Sequence, residues 1–276
     1  MSTHQKSIQE LNLEDDFLFA KVMSDQEICR RVLEQILGIS IKKVSLPEAQ
    51  RTIDILYEGK GIRLDVYVND DKGTVYNVEM QRGRKKELPK RSRYYQGSID
   101  LDLISAGEPY TALRKTYVIF ICTFDPFCEG RHIYTFENIC LESPSLLLGD
   151  EAIKLFLNTE GTQDDVSPDM KEFLAYISNT TDTFAQQAKN PLIKAIQRKV
   201  AQVKQSKEME VEYMTLLQRD RENIEIGREE GRLEGSAWTT KVLKLHTKGI
   251  EKKVIASQLN LDINYVEQII HNFEND

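Results

Sequence analysis

The chain has 276 residues, 40% hydrophobic and 29% charged, with a formal net charge of −7. That length suits one or two domains, and no run approaches the roughly 18 apolar residues of a membrane span. The first residues lack the apolar core of a signal peptide, so a cytoplasmic protein without a membrane role is expected. The acidic total excludes a surface coated by a nucleic-acid-binding field, although screening confines attraction to roughly 8 Å and leaves room for a local exception.

Residues 12–38 carry an apolar stripe at helical spacing (Phe17, Leu18, Val22, Ile28, Val32, Ile36, Leu37), interrupted at Ser24-Asp25. An N-cap there predicts two short helices, the second stopped by Gly38. Residues 39–47 read as an extended connector and 50–57 as a first strand. Two further strands, 62–68 and 74–81, flank Asn69-Asp-Asp-Lys-Gly73, whose composition suits a tight hairpin loop. Residues 88–105 turn helical and stop at Gly107-Glu-Pro109. The almost continuously apolar run 117–123 fits a central strand covered on both faces, and 132–138 alternates like an edge strand. Helical and loop material is expected over 143–190.

A long, charged amphipathic helix with an imperfect heptad is expected from Pro191 to about Glu225, a candidate surface for self-association. Gly227, Gly231 and Gly235 follow at every fourth position, and each internal glycine costs a helix roughly 1 kcal/mol, so close packing or a hinge is the reading. The last forty residues predict short helices over 240–247, 252–259 and 264–273, arranged like a helix-turn-helix. The candidate second helix offers Asn264, Tyr265, Glu267, Gln268 and His271 but no Arg or Lys for phosphates, which favours a packing or dimerisation module over a DNA reader. The expected division is a core over 1–145, its helical continuation over 146–190, a charged helix with a glycine-rich linker over 191–236, and a small helical module over 237–276.

The chemistry concentrates in the central hairpin. Asp65 and Glu79 stand on neighbouring strands, and alternation puts Glu79 and Gln81 on one face. Two such carboxylates suit one hard divalent cation, since Mg2+ takes one or two carboxylates and fills its other positions with water and phosphate. Seven basic residues follow within twelve positions, Arg82, Arg84, Lys85, Lys86, Lys90, Arg91 and Arg93, and these are candidate contacts to a DNA backbone. A solvated loop explains such a run equally well. Cys29, Cys122, Cys128 and Cys140 lack C-x-x-C spacing and read as reduced structural residues; Cys128, His132 and Cys140 lack a fourth zinc ligand.

The order Asp65, hairpin, Glu79-Met-Gln81 resembles the active-site signature of the PD-(D/E)XK nuclease superfamily, and more narrowly its recombination-promoting nuclease and transposase group, which carries E-x-Q where others carry E-x-K. Asp15-Asp-Phe-Leu-Phe-Ala-Lys-Val-Met23, Arg91-Ser-Arg-Tyr-Tyr-Gln96 and the strand from Lys115 to Cys122 are similar to further segments of that group. The resemblance implies an α/β restriction-endonuclease-like core, a mixed central sheet flanked by helices, here with an α-helical C-terminal extension. It implies a Mg2+-dependent DNA endonuclease, with Mn2+ as a substitute, in which Asp65 and Glu79 bind metal and Gln81 stands in the lysine position. A third acid is expected from the preceding helices, where Asp16, Glu27 and Glu34 are open as candidates. The alternative is a catalytically weak or inactive nuclease-fold protein that acts as a DNA-binding or protein-interaction module; an RNA nuclease is a third reading, because a metal sees phosphate in either polymer.

Overall fold

The computed structural model describes residues 6–53 and 62–275, and the outer half of the strand expected over 50–57 lies outside them. The chain forms two compact units, Met1–Glu210 and Val211–Asp276.

In the first unit, α1 (Asp16–Met23) and α2 (Gln26–Leu37) meet at the expected break. Asp25 caps α2 by accepting from the backbone N–H of Glu27 and Ile28, and Gly38 ends it at φ 65°. Then come β1 (Glu48–Ile53), β2 (Ile62–Asn69), β3 (Val75–Gln81), α3 (Leu88–Leu103) and β4 (Thr116–Cys122). After them run β5 (Ile133–Phe136), the two-stranded ribbon β6 (Ile139–Cys140) and β7 (Ser143–Leu147), β8 (Ala152–Asn158), α4 (Pro168–Ser178), α5 (Asp182–Gln187) and α6 (Pro191–Gln205). Helix α7 (Lys207–His246) starts in this unit and continues into the second.

One mixed sheet organises the first unit, in the order β1-β2-β3-β4-β8-β5. The β2–β3 hairpin is antiparallel, while β3, β4 and β8 run parallel. Its turn is set locally: Asp70 Oδ1 accepts from the N–H of Lys72 and Thr74, and Gly73 adopts φ 82°, a region that L side chains resist. Every residue of β3 is buried, and β4 is buried except at Tyr117. Leu88, Tyr95 and Ile99 of α3 share a core with Val118, Phe120 and Cys122 of β4. Ile119 and Ile121 point the opposite way along β4 and are also fully buried, so this strand is covered on both faces.

The sequence expectations need three corrections. The stretch 146–190 is not only helical and loop: it contributes β8, an inner strand paired with β4 and β5, so the sheet extends past residue 145. A short, mostly apolar segment broken by one lysine, Ala152-Ile-Lys-Leu-Phe-Leu157, is ambiguous between buried strand and buried helix from periodicity alone, which is why it was not legible. The charged helix does not run unbroken from 191: Ser206 is extended at ψ 119° and its Oγ accepts from Met209 N–H, which restarts the helix as α7. Within α7 the three glycines are helical; Gly227 and Gly231 are exposed and a Cβ at either would meet nothing within 4 Å among the described residues, whereas Gly235 is half-buried with the Tyr265 hydroxyl 3.9 Å from where its Cβ would stand.

In the second unit, the end of α7 joins α8 (Lys252–Leu259) and α9 (Ile263–Asn275) around Val242, Ile255, Ala256, Val266, Ile269 and Ile270. Among the described residues, no helix is long and apolar enough to cross a membrane.

Candidate active site

The β2–β3 ladder runs from Asn69↔Val75 to Val66↔Val78 and stops. One residue further, two carboxylates take over from the ladder. Met80 N–H donates to Asp65 Oδ2 at 3.0 Å, and Asp65 N–H donates to Glu79 Oε1 at 3.0 Å. Each acid therefore satisfies a peptide group beside the other acid, and backbone bonds that a closed ladder would make among themselves fix both side chains. Asp65 is half-buried and Glu79 is fully buried.

Packing two carboxylates this way disfavours their charge. Burial is the first cause for both; for Asp65 it pushes the pKa up to about 6 against the Met80 hydrogen bond, and for Glu79 up to about 8, with the Asp65 charge as the second cause. The two titrate as a pair, so these values belong to the dyad.

Arg91, from the first turn of α3, supplies the opposing charge. Its Nη2 donates to Glu79 Oε2 at 3.0 Å, its Nη1 to Gln81 Oε1 at 2.8 Å and its Nε to the Tyr95 hydroxyl at 2.8 Å. The guanidinium lies 5.0 Å from the Tyr95 ring centroid and 5.4 Å from that of Phe120. Gln81 is held at both ends of its amide, because its Nε2 donates to the Gly83 carbonyl at 2.6 Å.

Of the third-acid candidates, Asp16 alone adds its charge to the pair, as a cause that raises Asp65. Asp16 keeps solvent contact but stands amid crowding protein; that burial raises its pKa, opposed by Arg82. Glu34 is committed elsewhere, accepting from Ile41 N–H at 2.8 Å and pairing with Arg30 at 2.8 Å, and Glu27 also pairs with Arg30. Among the described residues, no group of three His, Cys, Asp or Glu is assembled to hold a metal ion. The donor set nevertheless fits Mg2+: two adjacent carboxylates offer oxygen only, and Asp65 Oδ1 takes no hydrogen bond among the described residues. The zinc reading is not supported, since His132 Nδ1 lies 2.7 Å from Asp165 Oδ1 in a local pair.

The basic run scatters. Lys85, Lys90 and Arg91 line a groove of about 570 Å³ with Ile62, Arg63, Glu87, Tyr94 and Tyr95. Arg93 and Lys86 are exposed and outside that lining. Arg84 lies 5.8 Å from the Phe124 ring centroid. Arg82 is engaged by Asp15 and Glu14, so it ties the end of β3 to the start of α1, and the buried Asp15 carboxylate also accepts from Lys6 and from Asn12 N–H. Arg63 went unnoticed in the sequence; alternation along β2 with Asp65 two residues later was the available signal.

A family model described as PD-(D/E)XK nuclease family transposase matches residues 14–225. That segment includes Asp16, Asp65, Glu79, Gln81, Arg91 and the inner strand β8, and excludes α8 and α9. No curated protein and no solved structure gives a significant match. With its mixed six-stranded sheet, flanking helices and hairpin-borne acids, the chain belongs to the PD-(D/E)XK nuclease family of transposases and has the restriction-endonuclease-like α/β fold.

Proposed function

We propose that this protein is a metal-dependent DNA endonuclease that hydrolyses phosphodiester bonds in the manner of recombination-promoting, transposase-like nucleases. The observation that carries the reading is the interlock of Asp65 and Glu79 at the point where β2 and β3 part. A bound Mg2+ or Mn2+ supplies a water of lowered pKa and withdraws charge from the phosphate. Asp65 and Glu79 would hold it, with Asp16 alongside. The peptide N–H groups of Met80 and Asp65 keep the two carboxylates aimed without further ordering. Gln81 orients the Arg91 guanidinium, which brings to this spot the positive charge that an amide at position 81 lacks. Arg63, Lys85 and Lys90 give the adjoining groove a field for the phosphate backbone, and the tyrosines offer rings to the bases.

The test is plasmid nicking. Wild type is expected to nick only with Mg2+ or Mn2+, and Asp65→Ala and Glu79→Ala to lose this while keeping the fold by circular dichroism; equal cleavage by all three rejects the assignment. One observation favours the second reading, an inert nuclease-fold module that binds DNA or protein: Arg91 already occupies Glu79 Oε2. A calorimetric titration with Mn2+ separates the two, because an inert module shows no binding that depends on Asp65. Self-association is proposed for α7, whose Val211, Met214, Ile224, Ile226 and Leu233 are exposed, and light scattering tests it.

A further inference from the structure

We propose that Arg91 is a positioning residue that couples the divalent-cation site to the nucleic-acid groove, holding the Asp65–Glu79 pair in a cation-repelling state until a substrate phosphate draws its guanidinium away. The inference rests on the reading of that acid pair as a cation site.

All three guanidinium nitrogens of Arg91 are used, one each on Glu79, Gln81 and Tyr95. A planar fork matches three separately placed acceptors in a way that a lysine ammonium on a flexible stem does not. The bond to Glu79 Oε2 brings a full positive charge to one of the two carboxylates that a divalent cation needs, so cation and guanidinium compete for the same charge. Arg91 also lines the groove with Arg63, Lys85 and Lys90. It therefore faces both the acids and the place where a phosphate arrives, and its side chain is 27% exposed against 1% for Glu79.

A phosphate in the groove offers the guanidinium a bidentate partner of equal or greater charge than a carboxylate. Transfer of Arg91 from Glu79 to phosphate frees Glu79 Oε2 for the cation. No covalent bond changes in this step. Thermodynamic reciprocity then requires that the cation and the polynucleotide strengthen one another's binding by the same factor. The arrangement gives the enzyme little cation at its acids in the absence of substrate, and it confines hydrolytic competence to the complex.

The experiment measures Mn2+ binding by electron paramagnetic resonance of the free ion, on the full chain, with and without a phosphorothioate DNA duplex. Without DNA, Arg91→Gln is expected to bind Mn2+ tighter than wild type by roughly 5- to 150-fold, the usual span of such couplings. Arg91→Lys, which keeps the charge, is expected to remain closer to wild type. With DNA, wild type is expected to tighten, and the added gain for Arg91→Gln to shrink. Equal affinities for wild type and Arg91→Gln, or a gain for Arg91→Lys as large as that for Arg91→Gln, overturn the proposal while Asp65→Ala still abolishes binding and the cation site stands. Should Asp65→Ala bind Mn2+ like wild type, the site itself fails and the inference with it. Wild type alone gives a test free of any folding defect in the variants: DNA affinity unchanged by Mn2+ overturns the coupling.

Discussion

Asp65→Asn separates the electrostatic burden of the dyad from its geometry. Asparagine keeps one oxygen to accept from Met80 N–H, and its amide nitrogen replaces Oδ1, which has no partner among the described residues, so no hydrogen bond is lost. What disappears is the charge. An acid whose folded-state pKa lies above its ordinary value contributes stability that is complete below that ordinary value and is lost as pH rises through the folded one. For the lower step of the dyad the window runs from 3.8 to about 6, a displacement worth on the order of 3 kcal/mol that Asp65 shares with Glu79. Metal-free Asp65→Asn should therefore exceed wild type in stability by up to about 3 kcal/mol at pH 8, and the difference should vanish near pH 4. The single tryptophan, Trp238, lies in the second unit and would report the wrong part of the chain. Urea dependence of hydrogen exchange at the β2 and β3 amides is the suitable assay. A variant no more stable than wild type at pH 8, or a gain equally large at pH 4, refutes the reasoning that burial and mutual repulsion burden this pair.

Arg82→Ala should lower stability by no more than about 1 kcal/mol, because its side chain is 48% exposed, and should leave DNA affinity unchanged; a large loss of affinity in a filter-binding assay would restore Arg82 to the phosphate contacts. Lys85→Ala and Lys90→Ala should each weaken DNA binding across sequences and reduce the slope of log affinity against log salt by roughly 1, which titrations at several salt concentrations will read. Cation binding must displace protons from a dyad whose pKa values are raised, so Mn2+ affinity should climb from pH 6 to pH 8 with proton release visible in buffers of different ionisation enthalpy. A pH-independent affinity would show that the cation binds elsewhere.

Much of this architecture could be read from local signals. The Asp25 cap, the Gly38 stop and the Asn69–Gly73 loop are each specified by a few adjacent residues, and the structure uses each as the chemistry suggests. The almost continuous apolar run 117–123 announced a strand covered on both sides, and β4 is buried except at Tyr117. What stayed hidden depends on partners distant in sequence. Whether Ala152–Asn158 forms strand or helix is decided by its pairing with β4 and β5, which no short window contains. Composition likewise grouped seven basic residues as one patch, whereas Asp15, Phe124 and Glu79 draw three of them to separate places. The acids at 65 and 79 were legible as neighbours, but their exchange of backbone amides was not, because it requires the ladder to end between Val66 and Asp65. Arg91 looked like one more phosphate contact; its place beside Glu79 arises because α3 packs on β4 with its first turn next to the end of β3.

Asp65 and Glu79 are expected to share one divalent cation. Anomalous diffraction from a crystal soaked in Mn2+ tests it most directly. The expected result is a single peak bridging the two carboxylates, with metal–oxygen distances of about 2.1 Å and the remaining positions filled by water. A crystal saturated with Mn2+ and DNA that shows no peak between these acids, or one only at other residues, contradicts it.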